Sequence, residues 1–236
     1  MKRNGNERRP FSILMLESAS KIYGSSSGSL IGCGMIALLC FALDKVKMTF
    51  YNNLRPSFWG LHLGGRILNV VKDILNDFLP PNAHQLVAGR LHVIVTHMSD
   101  CRSVVVSEFA SKEELIQVLL CSCFIPFCFG LFPPMYRGVV SSLVVWKHTR
   151  AKGPSRLCPF FMSRTTITMS AFTGEFDICP KDCPAAFLNF QLSDSVPSAL
   201  TATSPLQVMD QYYACGYQDT VSYLKRLSKC LRVRSM

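Results

Sequence analysis

The chain is poor in acidic side chains. Aspartate and glutamate number 15 against 25 lysines and arginines in 236 residues, a formal net charge of +10. Between Asp100 and Asp177 there is no aspartate, so that stretch offers none as a base. Residues 1–20 hold a single glycine, Gly5, and therefore no glycine-rich turn. No apolar run near the start resembles a signal peptide. The longest apolar run, residues 30–43, is too short to span a bilayer and is interrupted by Gly32 and Gly34. Cys179-x-x-x-Cys183 is poor metal spacing with no histidine nearby, and neither a metal nor a cofactor is expected. No zinc finger or basic–aromatic platform is present, which argues against a nucleic-acid partner. The eleven cysteines are odd in number and many, such as Cys121, Cys123 and Cys128, sit in apolar runs. That pattern fits buried free thiols in a reducing compartment better than a disulfide framework.

What is present is enough for a sizeable core: 49% of residues are hydrophobic, and the length suits one α/β domain with or without an extension. The chain is organised around Gly24-Ser25-Ser26-Ser27-Gly28, a G-x-S-x-G match. Lys21-Ile22-Tyr23 leads in as an extended segment, and the apolar run after Gly28 reads as a buried helix. Strand, sharp turn and helix form the context of a nucleophile elbow, which would place Ser26 in a strained backbone state at a helix N-terminus. Gly24 and Gly28 would let neighbouring backbone pass close by. Three serines between glycines also make a plain turn, and the letters alone do not separate the two.

The rest reads in order. Residues 1–10 are a basic tail, and residues 11–16 form a short strand. The helix behind the serine motif is expected over residues 29–48, a loop over 52–65 and a helix over 66–78, stopped by Pro80-Pro81. A turn of helix over 83–88 precedes a strand at 91–96 and a second at 103–107, together a hairpin. Ser111, with Glu114 three residues on, opens a helix over 112–121. Residues 124–138 form an apolar, proline-rich loop suited to lining a cleft, or to a plain packed crossing. Strands follow at 139–146 and 165–170, separated by a basic loop. A turn-rich segment spans 174–184, and an amphipathic helix over 205–229 is broken at Gly216.

Several blocks resemble the patatin-like phospholipase family, most closely its animal lipid-droplet-associated branch of acylglycerol hydrolases and transacylases and, within it, the member tied to epidermal acylceramide. They are Ile22-Tyr23-Gly24-Ser25-Ser26-Ser27-Gly28, Gly89-Arg90-Leu91-His92-Val93, Ser111-Lys112-Glu113-Glu114-Leu115-Ile116, Cys121-Ser122-Cys123-Phe124-Ile125-Pro126, the run Gly130 to Val139, Thr165-Thr166-Ile167-Thr168 and Asp177-Ile178-Cys179-Pro180. The resemblance implies an α/β patatin-like sheet with flanking helices, N-terminally truncated and with a C-terminal helical extension. It divides the chain into a basic tail at 1–10, a partial patatin-like domain at 11–170 and a turn-rich, helical extension at 171–236.

The resemblance also implies a serine–aspartate dyad in which Ser26 attacks an acyl ester and an aspartate moves the proton. None of His62, His84, His92, His97 or His148 is marked for a role. Two departures matter. The glycine-rich turn that supplies oxyanion donors in the family is not found in residues 1–20. Where the family carries Asp-Gly-Gly or Asp-Gly-Ala, a few residues after the motif matched by Arg137-Gly138-Val139, this chain reads Val140-Ser141-Ser142-Leu143-Val144-Val145. No catalytic aspartate is identified; Asp177 belongs to another block, and Asp182 and Asp194 have no supporting context. The expectation is an acylglycerol or phospholipid hydrolase or transacylase by resemblance, impaired or inactive as written. The alternative is a non-catalytic lipid-surface or protein-interaction module. The expected partners are a neutral-lipid or phospholipid surface and lipid-droplet proteins, with a cytoplasmic location peripheral to a membrane or droplet.

Overall fold

A computed structural model describes residues 19–37, 48–49, 63–97, 102–124, 134–137, 139–142, 166–170, 176–179 and 205–234. The chain divides into two compact units, Met1–Val145 and Trp146–Met236.

In the first unit the central strand is β2 (Leu91–His97), whose alternation buries Leu91, Val93 and Val95 on one face. Strand β1 (Ile22–Gly24) lies parallel to it, Gly24 opposite Val93. Strand β3 (Ser103–Val106) is antiparallel, from Val106 opposite Val93 to Ser103 opposite Thr96, as the hairpin pattern predicts. Strand β5 (Val139–Ser142) is also antiparallel, with Ser142 opposite Thr96 and Ser141 opposite His97, and β4 (Met135–Tyr136) pairs with β5. Since β3 takes one edge of β2 at both Val93 and Thr96, β1 and β5 share the other. They run toward each other along it, and their ends face across Ile94 and Val95.

Helices cover the buried face. They are α1 (Ser27–Ile36), α2 (Leu63–Phe78), α3 (Ala83–Val87) and α4 (Lys112–Cys123). The α4 start is written in its sequence: Ser111 Oγ accepts the Glu114 N–H at 3.1 Å, and Glu114 Oε2 reaches back to the Ala110 N–H at 2.6 Å. Leu115, Val118, Leu119 and Cys121 from α4 join Leu91 and Val93 of β2, Cys33 of α1 and Val87 of α3 in the core. The described part is thus a mixed β-sheet flanked by helices, consistent with a patatin-like α/β fold.

Several expected boundaries move. The helix after the serine motif stops at Ile36, and residues 38–47 of its expected length lie outside the described residues. Helix α2 begins at Leu63, inside the expected loop. The apolar segment 124–138 contains β4, because Met135 and Tyr136 take up pairing with Val140 and Val139. The expected strand at 11–16 lies outside the described residues.

In the second unit, the described part of the strand expected at 165–170, residues 166–170, shows a parallel bridge between Met169 and Ile178 and no longer ladder among the described residues. Helix α5 (Pro205–Arg234) runs unbroken through Gly216. Glycine costs a helix interior only about 1 kcal/mol, which its neighbours in a long helix offset. Among the described residues no helix is long and apolar enough to cross a membrane.

Candidate active site

Strand β1 ends at Gly24, the chain turns through Ser25 and Ser26, and α1 begins at Ser27. Ser26 holds φ 52° and ψ −129°. Such a state costs a residue with a side chain roughly 1–3 kcal/mol and persists only where the surroundings over-determine it. Both adjoining peptides are held here. The Ser26 N–H donates to Ser122 Oγ at 2.9 Å. The Ser26 C=O accepts from Ser29 Oγ at 2.6 Å and from the Ser29 and Leu30 N–H groups at 2.9 and 3.3 Å.

The two motif glycines differ. A Cβ on Gly24 would sit 2.6 Å from both Cα and N of Ser29, so the start of α1 crosses β1 too closely for any other residue. A Cβ on Gly28 would meet nothing within 4 Å. The expectation of close backbone approach therefore holds at Gly24 and not at Gly28, which lies exposed on the first turn of α1.

The last turn of α4 completes the surroundings. Ser122 is fully buried and donates its hydroxyl proton to the Ile94 C=O at 2.8 Å. Burial pushes the Cys123 thiol up to about 12, while the Ser26 and Ser29 side chains beside it pull the other way. Cys123 is therefore a protonated thiol at neutral pH and no competing nucleophile. Cys33 and Cys121 are pushed to about 12 as well, by burial first. Sequence reading assigned no role to Ser29, Ser122 or Cys123. The signal was a serine set in the apolar end of a helix, where a buried hydroxyl needs a partner.

Asp177, in the second unit, accepts from the Thr168 N–H and hydroxyl, both at 2.8 Å, so its carboxylate is engaged across the Met169–Ile178 bridge. Asp182 and Asp194 lie outside the described residues, as do His62 and His148. His92 lies against Tyr23, ring centroids 4.4 Å apart. Residue 143, which follows β5, is leucine.

A mixed sheet with a backbone-strained serine where a parallel strand passes into a helix defines an α/β protein of the serine-turn type. No family model matches the chain. Human omega-hydroxyceramide transacylase is 35% identical over 233 residues, covering 91% of this chain and 41% of that protein. Mouse 1-acylglycerol-3-phosphate O-acyltransferase is 32% identical over 237 residues, covering 95% and 55%. Human patatin-like phospholipase domain-containing protein 2 is 31% identical over 233 residues, covering 93% and 44%. The chain is homologous to the patatin-like phospholipase and acyltransferase superfamily. It spans about half the length of the curated relatives it matches, from 41% to 55% for these three.

Proposed function

We propose that the chain carries the serine half of a patatin-like acyl-ester hydrolase or transacylase site, with Ser26 on a nucleophile elbow, and that it turns over esters poorly as written. The observation that carries this reading is the φ 52°, ψ −129° geometry of Ser26 between β1 and α1. A serine so placed stands at the N-terminus of α1, where the helix dipole favours developing negative charge. Acyl transfer would form an ester at Ser26 Oγ and release the alcohol; water or a second alcohol would then take the acyl group.

The base is the weak point, and it lies inside the chain. Strand β5 heads along β2 toward the end of β1, and the resemblance puts the family's aspartate motif in the stretch that reads Val140 to Val145 here, which holds no aspartate. A serine of ordinary pKa without a base is a poor nucleophile. This favours the second reading, a non-catalytic module at a lipid surface or on a lipid-droplet protein. The similarity to omega-hydroxyceramide transacylase favours that branch for substrate class. The net charge of +10 favours peripheral contact with anionic lipid.

The test is a fluorophosphonate probe on purified protein beside Ser26→Ala, with a short-chain acyl ester assayed on the same pair. Slow labelling that vanishes with Ser26→Ala, with turnover near background, is the expected result. Fast turnover lost in Ser26→Ala restores a competent hydrolase. Identical behaviour of the two proteins leaves the interaction module. Flotation with neutral and anionic liposomes tests the surface separately, and equal negligible binding to both removes it.

A further inference from the structure

Along the edge of β2 shared by β1 and β5 there is a break in pairing among the described residues. The last β1 rung is Gly24 opposite Val93, and the first β5 rung is Ser142 opposite Thr96. Ile94 lies in the break. The chain that would have continued β1 turns away at Ser25 and Ser26, which strands a C=O on β2 and an N–H on the turn. Both go to one atom: Ser122 Oγ takes the Ser26 N–H at 2.9 Å and gives its own proton to the Ile94 C=O at 2.8 Å. Ser122 is 0% exposed, so water does not replace it.

We infer that Ser122 is a positioning residue for Ser26, its buried hydroxyl bridging the turn to β2 and so holding the serine in its strained backbone state. A hydroxyl suits the place because it is donor and acceptor on a single small atom. Alanine leaves both stranded groups unpaired in the core. Threonine keeps the bridge at the cost of one methyl group. Without the bridge, the Ser26 peptide is held from its C=O side alone, and the strain has a route to relax. The chemical consequence rests on the reading of Ser26 as the reactive serine, whereas the positional one does not.

The experiment therefore has two arms. Amide hydrogen exchange resolved to single residues compares Ser26 with Ser27 in the wild-type protein, then in Ser122→Ala and Ser122→Thr. Fluorophosphonate labelling of Ser26 is timed on the same three proteins. The first-turn N–H groups of a helix ordinarily exchange freely. Ser26 should instead exchange at least about tenfold more slowly than Ser27 in the wild type. Ser122→Ala should remove that protection and slow labelling about tenfold or more. Ser122→Thr should restore both, and exchange at Val93 and Leu119 should stay unchanged throughout. A wild-type Ser26 amide that exchanges as fast as Ser27 overturns the inference even if Ser122→Ala does not fold. So does protection that survives Ser122→Ala. An unlabelled wild-type protein overturns the nucleophile reading alone, and the exchange arm then decides whether Ser122 positions Ser26.

Discussion

Gly24 and Ser29 touch backbone to backbone: a methyl group on Gly24 would lie 2.6 Å from the Ser29 Cα. Gly24→Ala must therefore push β1 and α1 apart and should cost more than about 2 kcal/mol. Gly28→Ala meets nothing within 4 Å and gains helix propensity, so it should stay within about 1 kcal/mol of the parent or stabilise it. Thermal or urea unfolding of the two variants checks this. Equal losses would show that the close crossing is not what fixes the turn.

Leu143→Asp should raise the rate of Ser26 labelling and of short-ester turnover at least about tenfold, since general-base assistance contributes roughly 10²–10⁴-fold where geometry is right. Part of that gain is withheld because nucleophile, base and oxyanion donors act together. Timed probe labelling of Leu143→Asp and of Leu143→Asp with Ser26→Ala measures it. No gain from the aspartate would mean that the base is not what limits Ser26.

Glu114 gives a pH signature. The Ala110 N–H first, then Arg137 and the Tyr136 hydroxyl, hold its carboxyl below the ordinary value of 4.5. Arg137 lies 2.8 Å from Glu114 Oε1. Because the folded state binds this proton less readily than the unfolded chain, the stabilisation is complete above about 4.5 and is lost as pH falls through the lower folded value. Glu114→Gln should flatten that acid limb and lower stability near neutrality by about 1–2 kcal/mol. Urea midpoints measured from pH 7 to pH 3 follow it.

Thiol reagents should discriminate sharply. Cys215 is exposed on α5, while Cys33, Cys121 and Cys123 are buried. The three buried thiols are also pushed to about 12. Cys215 should react with maleimide in the native protein and these three only on unfolding, as peptide mapping before and after denaturant will record. Native labelling of Cys123 would place solvent where the core is drawn.

Much of the scaffold was legible because its signals are local. Ser111 and Glu114 mark the start of α4, β-branched alternation marks β2 and β3, and Pro80 marks the end of α2. The strand, turn and helix around Ser26 were legible as well. What packs around them was not. Ser122 meets Ser26 from 96 positions away, and no short window of sequence records that distance. The meaning of Gly24 against Gly28 was hidden for the same reason, since close approach depends on where α1 lands and not on the motif letters. The continuity of α5 through Gly216 was misread because glycine was taken as a stop, whereas the flanking turns carry the helix across it.

The Ser26–Ser122 hydrogen bond also orders events in time. It closes a loop of 96 positions, and β1 cannot pair with β2 until residues 91–93 have been made. Long closures form late, after local helices and hairpins. A nascent chain therefore carries the complete G-x-S-x-G motif with Ser26 slack while the residues from Ser29 to Cys123 are made, and the serine acquires its set only once the end of α4 has emerged and docked. A fragment that stops short of Ser122 would keep every letter of the motif and lack the geometry, so in this fold the motif matures as a product of assembly.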